Sequence, residues 1–315
     1  MIWKKIQIAL PRNWESSELY NMHKPVMFNE VEEYLNIKPG FKIIDATLNG
    51  GGHSFGLLEK FPDIKILGIE WDPDIFQEAG SKIYNSGLTD KMVAVNDSYV
   101  NLKNIVEKND FRPDGIIFDL GVSSLHYEKS GKGFSFMRDE LLDMRFNPKV
   151  NSTTAANVVN SSSQEELIKV LTDYGEEKFA KEISEGVVLS RKINPITTTV
   201  ELVECIKRSV PSWYLKRKIH PATKTFQALR IAVNNELENV ERGVLAAIDV
   251  VNPGGRIIVI SFHGLEDKVV REIFKEKTKE GILKRVVSGT IKPKWEEVKN
   301  NPRARSAKMK ICEKI

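Results

Sequence analysis

Apolar and polar positions along this chain follow two periods, and the switches between them mark out its elements. Short apolar runs, the pattern of a strand buried on both faces, occur at 42–46, 64–69 and 92–95, and again at Asp114-Gly-Ile-Ile-Phe-Asp119. Helical spacing follows the first of them, with Phe55, Leu57, Leu58 and Phe61. Strands that alternate with helices predict a parallel sheet covered by helices. The rhythm then breaks. Gly131 to Pro148 is irregular, and 150–218 reads as helices separated by Asn, Ser and Pro. One of these helices starts at Ser161-Ser-Ser-Gln-Glu-Glu-Leu167 and another spans Gly175–Arg191. Strand patterning resumes at Gly255–Phe262, and Ser306–Glu313 alternates apolar and polar as a half-buried strand does. The expected fold is an α/β sheet with an inserted, mostly helical domain. Residues 1–22 form an N-terminal extension, 23–130 the first part of the sheet domain, 131–218 the insertion and 219–315 the second part.

The first strand runs into Asp45-Ala-Thr-Leu-Asn-Gly-Gly-Gly-His-Ser54 before the helix begins. Glycines at such a junction let a ligand approach the backbone, because no Cβ intervenes. The helix start then presents N–H groups with partial positive charge. The second strand ends in Glu70-Trp71-Asp72-Pro73, about 20 residues beyond the glycines, where a carboxylate can accept hydrogen bonds from ribose hydroxyls. This pairing suits NAD, FAD or S-adenosylmethionine. Asn49 precedes Gly50, Gly51 and Gly52, so the run is not the G-x-G-x-x-G of pyrophosphate binders.

Composition narrows the setting. The chain has 315 residues, 41% of them hydrophobic, enough for one large core or one core and a smaller domain. No apolar run is long enough to span a bilayer, so no membrane is expected as a partner. The stretch Ile6–Leu10 behind Lys4 and Lys5 is too short for a signal peptide, and Glu15 and Glu18 follow it. Cys205 and Cys312 make no disulfide framework, the five histidines lack zinc spacing, and no metal is expected. A reducing, cytoplasmic setting is the simplest reading.

The net charge of +4 is unevenly spread. Between Cys205 and Asn235 there is no Asp or Glu, whereas Lys207, Arg208, Lys216, Arg217, Lys218, Lys224 and Arg230 are interleaved with Trp213, Tyr214 and Phe226. A second cluster comprises Arg303, Arg305, Lys308 and Lys310. Cations with aromatics between them suit a phosphate backbone with stackable bases, so a nucleic-acid partner is expected. The alternative for either cluster is a solvated surface face.

Three further segments carry chemistry. Asp119, at the end of the fourth strand, lies where loops surround the ligand crevice of an open sheet, and can orient a cofactor or accept an N–H from a base amine. From His220 to Leu237 a helical reading places Gln227, Arg230 and Asn234 on one polar stripe able to meet base edges or phosphates. His263, in Ser261-Phe-His-Gly-Leu-Glu-Asp267, ends the fifth strand and can touch substrate.

Taken in order, nine motifs resemble one family. They are His23-Lys-Pro-Val26, Asp45-Ala-Thr with Gly-Gly-His-Ser54, Asp114–Ser124, Lys132-Gly-Phe-Ser-Phe136, Leu142-Asp-Met-Arg145, Tyr174-Gly-Glu-Glu177, His220-Pro-Ala-Thr with Phe-Gln-Ala-Leu-Arg230, Ser261-Phe-His263 with Leu265-Glu-Asp267, and Arg305-Ser-Ala-Lys308. All look like the MraW family, the bacterial small-subunit ribosomal RNA (cytosine-N4)-methyltransferases. The resemblance implies a Rossmann-like methyltransferase sheet, S-adenosyl-L-methionine as cofactor, and methylation of the exocyclic amine of a cytidine in the decoding region. It implies cofactor contacts at Gly51, Gly52, His53, Glu70, Tyr99, Asp119 and His126; the chemistry of a weakly nucleophilic amine makes Asp119 the candidate catalytic acceptor. The RNA contacts expected are Lys216, Arg217, Lys218, His220, Lys224, Gln227, Arg230, Asn234, His263, Arg303 and Arg305, and the partner is small-subunit ribosomal RNA or the assembled subunit. The oligomeric state, a dimer included, is left open.

The chain departs from the family pattern at five places. Glu70 stands for Asp, Asn49 for Gly, His126 for Gln, Tyr99 for Phe and Gly264 for Ser. Two rival readings use the same residues: a nicotinamide or flavin oxidoreductase, and an RNA-binding protein of this fold that has lost or altered methyl transfer.

Overall fold

The computed structural model describes residues 25–128 and 130–315; the expected extension at 1–22 and His23-Lys24 of the first motif lie outside the described residues. The chain forms two compact units, one comprising the residues up to Gly121 with Val240–Ile315, the other Val122–Asn239.

The first unit is built on a seven-stranded sheet. In chain order it contains α1 (Phe28–Leu35), β1 (Lys42–Asp45), α2 (Gly52–Lys60), β2 (Lys65–Glu70), α3 (Pro73–Asn85), β3 (Met92–Asn96), α4 (Leu102–Asn109) and β4 (Gly115–Asp119). The sheet order is β3-β2-β1-β4-β5-β7-β6, with β5 at Arg256–Ser261, β6 at Leu283–Arg285 and β7 at Lys308–Lys314. Strands β1 to β5 pair in parallel, and β7 pairs antiparallel with both β5 and β6. All six expected strands form, within a residue or two of their expected ends; β6 is the addition.

Alternation explains why both faces are buried. Ile44, Leu67, Ile116, Phe118, Ile257 and Val259 enter one hydrophobic cluster, and their neighbours Ile43, Ile66, Ile117, Ile258 and Ile260 enter the other. Such strands read as continuous apolar runs because each face meets helices. Asp72 caps α3 by accepting from the Asp74 and Ile75 amides, and Pro73 begins the helix where no amide partner is needed.

The second unit is helical: α5 (Ser124–Glu128), α6 (Ala155–Ser161), α7 (Gln164–Asp173), α8 (Ala180–Arg191), α9 (Thr199–Ser209), α10 (Ser212–Leu215) and α11 (Thr223–Asn234). Thr154, Ser163 and Thr198 each close a capping box with the residue three positions on. This unit is wider than the expected insertion at both ends. Phe226, Leu229 and Val233 of α11 share a core with Leu167, Ile183 and Leu202, so α11 belongs here rather than with the sheet. Helix α8 starts five residues later than expected because Glu176 takes a left-handed conformation, with φ +48°. Helix α12 (Glu236–Val250) leads back to the sheet, and α13 (Gly264–Lys279) and α14 (Trp295–Asn300) complete the first unit.

Candidate active site

In an open parallel sheet the ligand crevice lies outside the carboxyl ends of the strands, where neighbouring connections leave in opposite directions. Here that point falls between β1 and β4, because β1 pairs with β2 on one side and β4 on the other. Asp45 closes β1, Glu70 closes β2 and Asp119 closes β4. The glycine turn lies against them. Gly51 is the N-cap of α2 with φ +82°, and a Cβ there would lie 2.5 Å from the Phe55 ring. Asn49 is also left-handed, with φ +50°. Asparagine reaches that region more readily than other side-chain-bearing residues, so the loop keeps its turn without a glycine. The Asn49 amide donates to Glu70 Oε2 at 2.8 Å, and the Leu48 amide donates to the Ile69 carbonyl at 2.8 Å, tying the loop to β2.

Burial makes this end of the sheet electrostatically unusual. Asp45 accepts from the Ser54 hydroxyl at 2.7 Å and the Thr47 amide, yet burial pushes its carboxyl up to about 6. Glu70 accepts from the Asp72 and Asn49 amides, each at 2.8 Å, and burial pushes it up to about 7. Burial, then the charges of Asp45 and Glu266, raise Asp119 well above the carboxylate range. Its amide donates to Thr47 Oγ1 at 2.6 Å, its Oδ2 lies 3.7 Å from His53 Nδ1, and its Oδ1 is buried without a hydrogen-bond partner among the described residues. His53 donates from Nε2 to the Val26 carbonyl at 3.0 Å, and burial lowers its pKa to about 4, so the ring is neutral.

Two buried carboxyls, a partly exposed third and its one bare oxygen suit a ligand that brings positive charge and hydrogen-bond donors. S-adenosylmethionine brings a sulfonium, an ammonium and ribose hydroxyls, and each Glu70 oxygen retains a second lone pair. A dinucleotide's pyrophosphate would lack its G-x-G-x-x-G turn here, which counts against the oxidoreductase reading.

A pH dependence follows. The folded-state pKa of Glu70 is raised, so the folded state holds its proton more tightly than the unfolded chain does. The resulting stability is full below the unfolded value near 4.5 and is lost as pH rises through about 7. In cofactor-free protein Tm is expected to fall across that window, and Glu70→Gln is expected to flatten the slope in a thermal scan.

The other residues implied for the cofactor take varied places. Gly52 opens α2 next to the cap. Tyr99 opens a 3₁₀ turn after β3, its ring edge-on to Phe118 at 5.5 Å. A Cβ at Gly243 would fall 2.3 Å from that ring, so the glycine makes room for it. His126 lies in the second unit, in α5, where Nδ1 accepts from the Ser123 amide and the ring is enclosed by Phe134 and Phe146 at 4.9 and 5.0 Å. Asp45 was absent from the expected site; its place at the end of β1, first in the glycine motif, was the available signal. Gly264 has open space where a Cβ would point, so the loss of the family's serine leaves α13 undisturbed.

The residues expected to contact RNA divide sharply. Lys216, Arg217 and Lys218 are exposed in the second unit, and Arg217 lies over the Tyr214 ring at 5.0 Å. Arg303 and Arg305 are exposed in the first unit. The stripe on α11 is not a wet face. Arg230 makes a two-bond pair with Glu236 at 2.7 and 2.9 Å, with both side chains largely buried. Asn234 is buried, donates to the Met144 carbonyl and accepts from the Phe146 amide. Gln227 donates to the Tyr174 carbonyl, and Lys224 to that of Glu176. Asn234, Gln227 and Lys224 hold irregular loops whose backbone groups need partners, a demand that helical spacing does not reveal. His220 stacks flat on Phe136 at 4.6 Å and accepts from the Ala222 amide. His263 caps α13 by accepting from the Glu266 amide, and its Nε2 lies 3.0 Å from Glu266 Oε1, so it is a cap rather than a free substrate contact. Lys310 is buried against Asp267 and Thr290 and drops out of the second basic cluster.

The strand order, the antiparallel β7 and the acid-lined glycine turn define an S-adenosylmethionine-dependent methyltransferase. Residues 20–315 match the model of the MraW methylase family. The chain is similar to proteins named ribosomal RNA small subunit methyltransferase H from three organisms. The one from Carboxydothermus hydrogenoformans is 40% identical over 309 residues, 93% of this chain and 98% of the relative. That from Dictyoglomus thermophilum is 43% identical over 300 residues, 94% and 98% of the two chains, and that from Coxiella burnetii 37% over 309 residues, 93% and 99%. The chain belongs to the MraW methylase family.

Proposed function

We propose that this protein transfers a methyl group from S-adenosylmethionine to the exocyclic N4 amine of a cytidine in the decoding region of small-subunit ribosomal RNA. The relatives' names point to that RNA. The observation that carries the chemistry is Asp119 Oδ1, a buried acceptor at the switch point of the sheet with no partner among the described residues.

When bound, S-adenosylmethionine supplies an electrophilic methyl on a sulfonium whose charge is lost on transfer. Gly51, Gly52 and His53 would present the backbone N–H groups at the start of α2 to it and Glu70 would accept from its ribose hydroxyls; the family motifs assign further contacts to Tyr99 and to His126. The cytosine amine is a weak nucleophile because its lone pair is delocalised into the ring. Asp119 accepts one amine proton as a hydrogen bond, which favours a pyramidal nitrogen and aligns its lone pair. Most of the acceleration then comes from positioning. The amine becomes strongly acidic only as its new bond forms, so a weak acceptor is sufficient.

Lys216, Arg217, Lys218, Arg303 and Arg305 meet RNA phosphates in this reading. Changing Lys216, Arg217 and Lys218 together to Gln is expected to reduce the salt slope of RNA binding by about 2, at about 0.7 per single-strand phosphate contact. An unchanged slope in a filter-binding titration would remove that surface from the account. The reading as a whole is tested by offering labelled cofactor with small- and large-subunit RNA in parallel. Label confined to the small-subunit RNA is the expected result, and none in either RNA would contradict it.

A further inference from the structure

We propose that His53 is a positioning residue acting through Asp119: its Nδ1 lone pair holds a proton on Asp119 Oδ2, which leaves Oδ1 free as the acceptor for the target amine. The proposal rests on the reading of Asp119 given above.

The tautomer follows from the hydrogen bonds. His53 Nε2 is 3.0 Å from the Val26 carbonyl oxygen, which can only accept, so Nε2 carries the hydrogen. In the neutral ring Nδ1 therefore holds a lone pair, and it faces Asp119 Oδ2 at 3.7 Å. Two lone pairs facing each other in a buried site repel unless a proton lies between them. Among the described residues, the charged and titratable groups around Asp119 are Asp45 from β1, His53 from α2 and Glu266 from α13. Burial, and then the two acids, raise the Asp119 carboxyl above the carboxylate range, which favours its protonated form. The gap closes to hydrogen-bond length when substrate fills the site, as catalytic contacts commonly do.

This arrangement also handles the proton released by the reaction. N4 uses its lone pair to form the bond to the methyl carbon, and the carbon–sulfur pair remains on sulfur. One N4 proton passes to Oδ1 while the Oδ2 proton passes to Nδ1. Asp119 stays neutral throughout, His53 becomes an imidazolium, and its extra proton leaves to water before the next turnover. No carboxylate charge has to be created in the buried site.

Two variants separate the roles of the ring nitrogens. His53→Gln keeps a donor for the Val26 carbonyl and removes the acceptor facing Asp119; His53→Asn can restore an acceptor near Nδ1. His53→Gln is expected to lower kcat roughly 10- to 100-fold, the usual loss for a supporting partner. KM for the cofactor should be little changed, and His53→Asn should recover part of kcat. The second measurement needs no turnover. In ¹⁵N-histidine-labelled protein holding S-adenosylhomocysteine and small-subunit RNA, Nδ1 of His53 should resonate as a hydrogen-bonded acceptor and move toward a free lone pair in Asp119→Ala. If Asp119→Asn is inactive while His53→Gln keeps wild-type kcat, the His53 proposal fails alone. An Nδ1 signal indifferent to Asp119→Ala overturns it even where the Gln variant fails to fold. If Asp119→Asn is itself fully active, the reading of Asp119 fails, and the nitrogen signal still decides whether the pair exists.

Discussion

Asp119→Asn is expected to lower kcat for methyl transfer by about 100- to 10,000-fold, the range for a positioned proton acceptor. Affinity for S-adenosylhomocysteine should hold within a fewfold. The asparagine keeps the size of the side chain, and the backbone amide keeps its 2.6 Å bond to Thr47 Oγ1. What changes is the proton inventory at Oδ1 and Oδ2. An amide either presents its NH₂ to the amine, which repels it, or to His53, which leaves a carbonyl unable to pass on a proton. Single-turnover kinetics on small subunits, with calorimetry for the cofactor product, separates the two quantities. Retained kcat would remove Asp119 from the chemistry; lost binding with lost kcat would make it a cofactor residue only.

The second large effect concerns stability. Arg230→Met is expected to cost about 3–5 kcal/mol, because it leaves Glu236 as a buried charge without its two-bond partner. Urea unfolding followed by circular dichroism measures it. An exposed cation of the same unit such as Lys216, changed to Gln, should stay within about 0.5 kcal/mol. Were Arg230 instead a phosphate contact, the Met variant would keep its stability and lose about one unit of salt slope in RNA binding.

The contrast between these two residues shows what the chain made legible. Strands buried on both faces announce themselves as apolar runs, so Ile43-Ile44, Ile66-Leu67 and Ile116–Phe118 were readable directly. The glycine turn and the acid closing β2 were readable from spacing. Strand β6 was not, because only Leu283 of its three residues is buried and the other two carry charge into solvent. The polar stripe on α11 misled for a related reason. A period of 3.6 places Gln227, Arg230 and Asn234 together but does not say whether water or an irregular loop faces them. In the fold the loop around Met144 and Phe146 supplies backbone groups that Asn234 satisfies. Lys310 looked like part of a basic cluster, yet Asp267, more than forty residues earlier, is its partner. Long-range pairing of this kind leaves no local trace. The bare oxygen of Asp119 was half legible: its position at a strand end was visible, but its lack of a partner was not.

The most direct test of the account is the identity of the modified nucleoside. Small ribosomal subunits from cells lacking this protein are incubated with it and labelled S-adenosylmethionine, and their RNA is digested for nucleoside mass spectrometry. The account predicts label in N4-methylcytidine from the decoding region. Label in any other nucleoside would contradict the assigned target, and cofactor binding with no transfer would leave an RNA-binding protein on a methyltransferase fold.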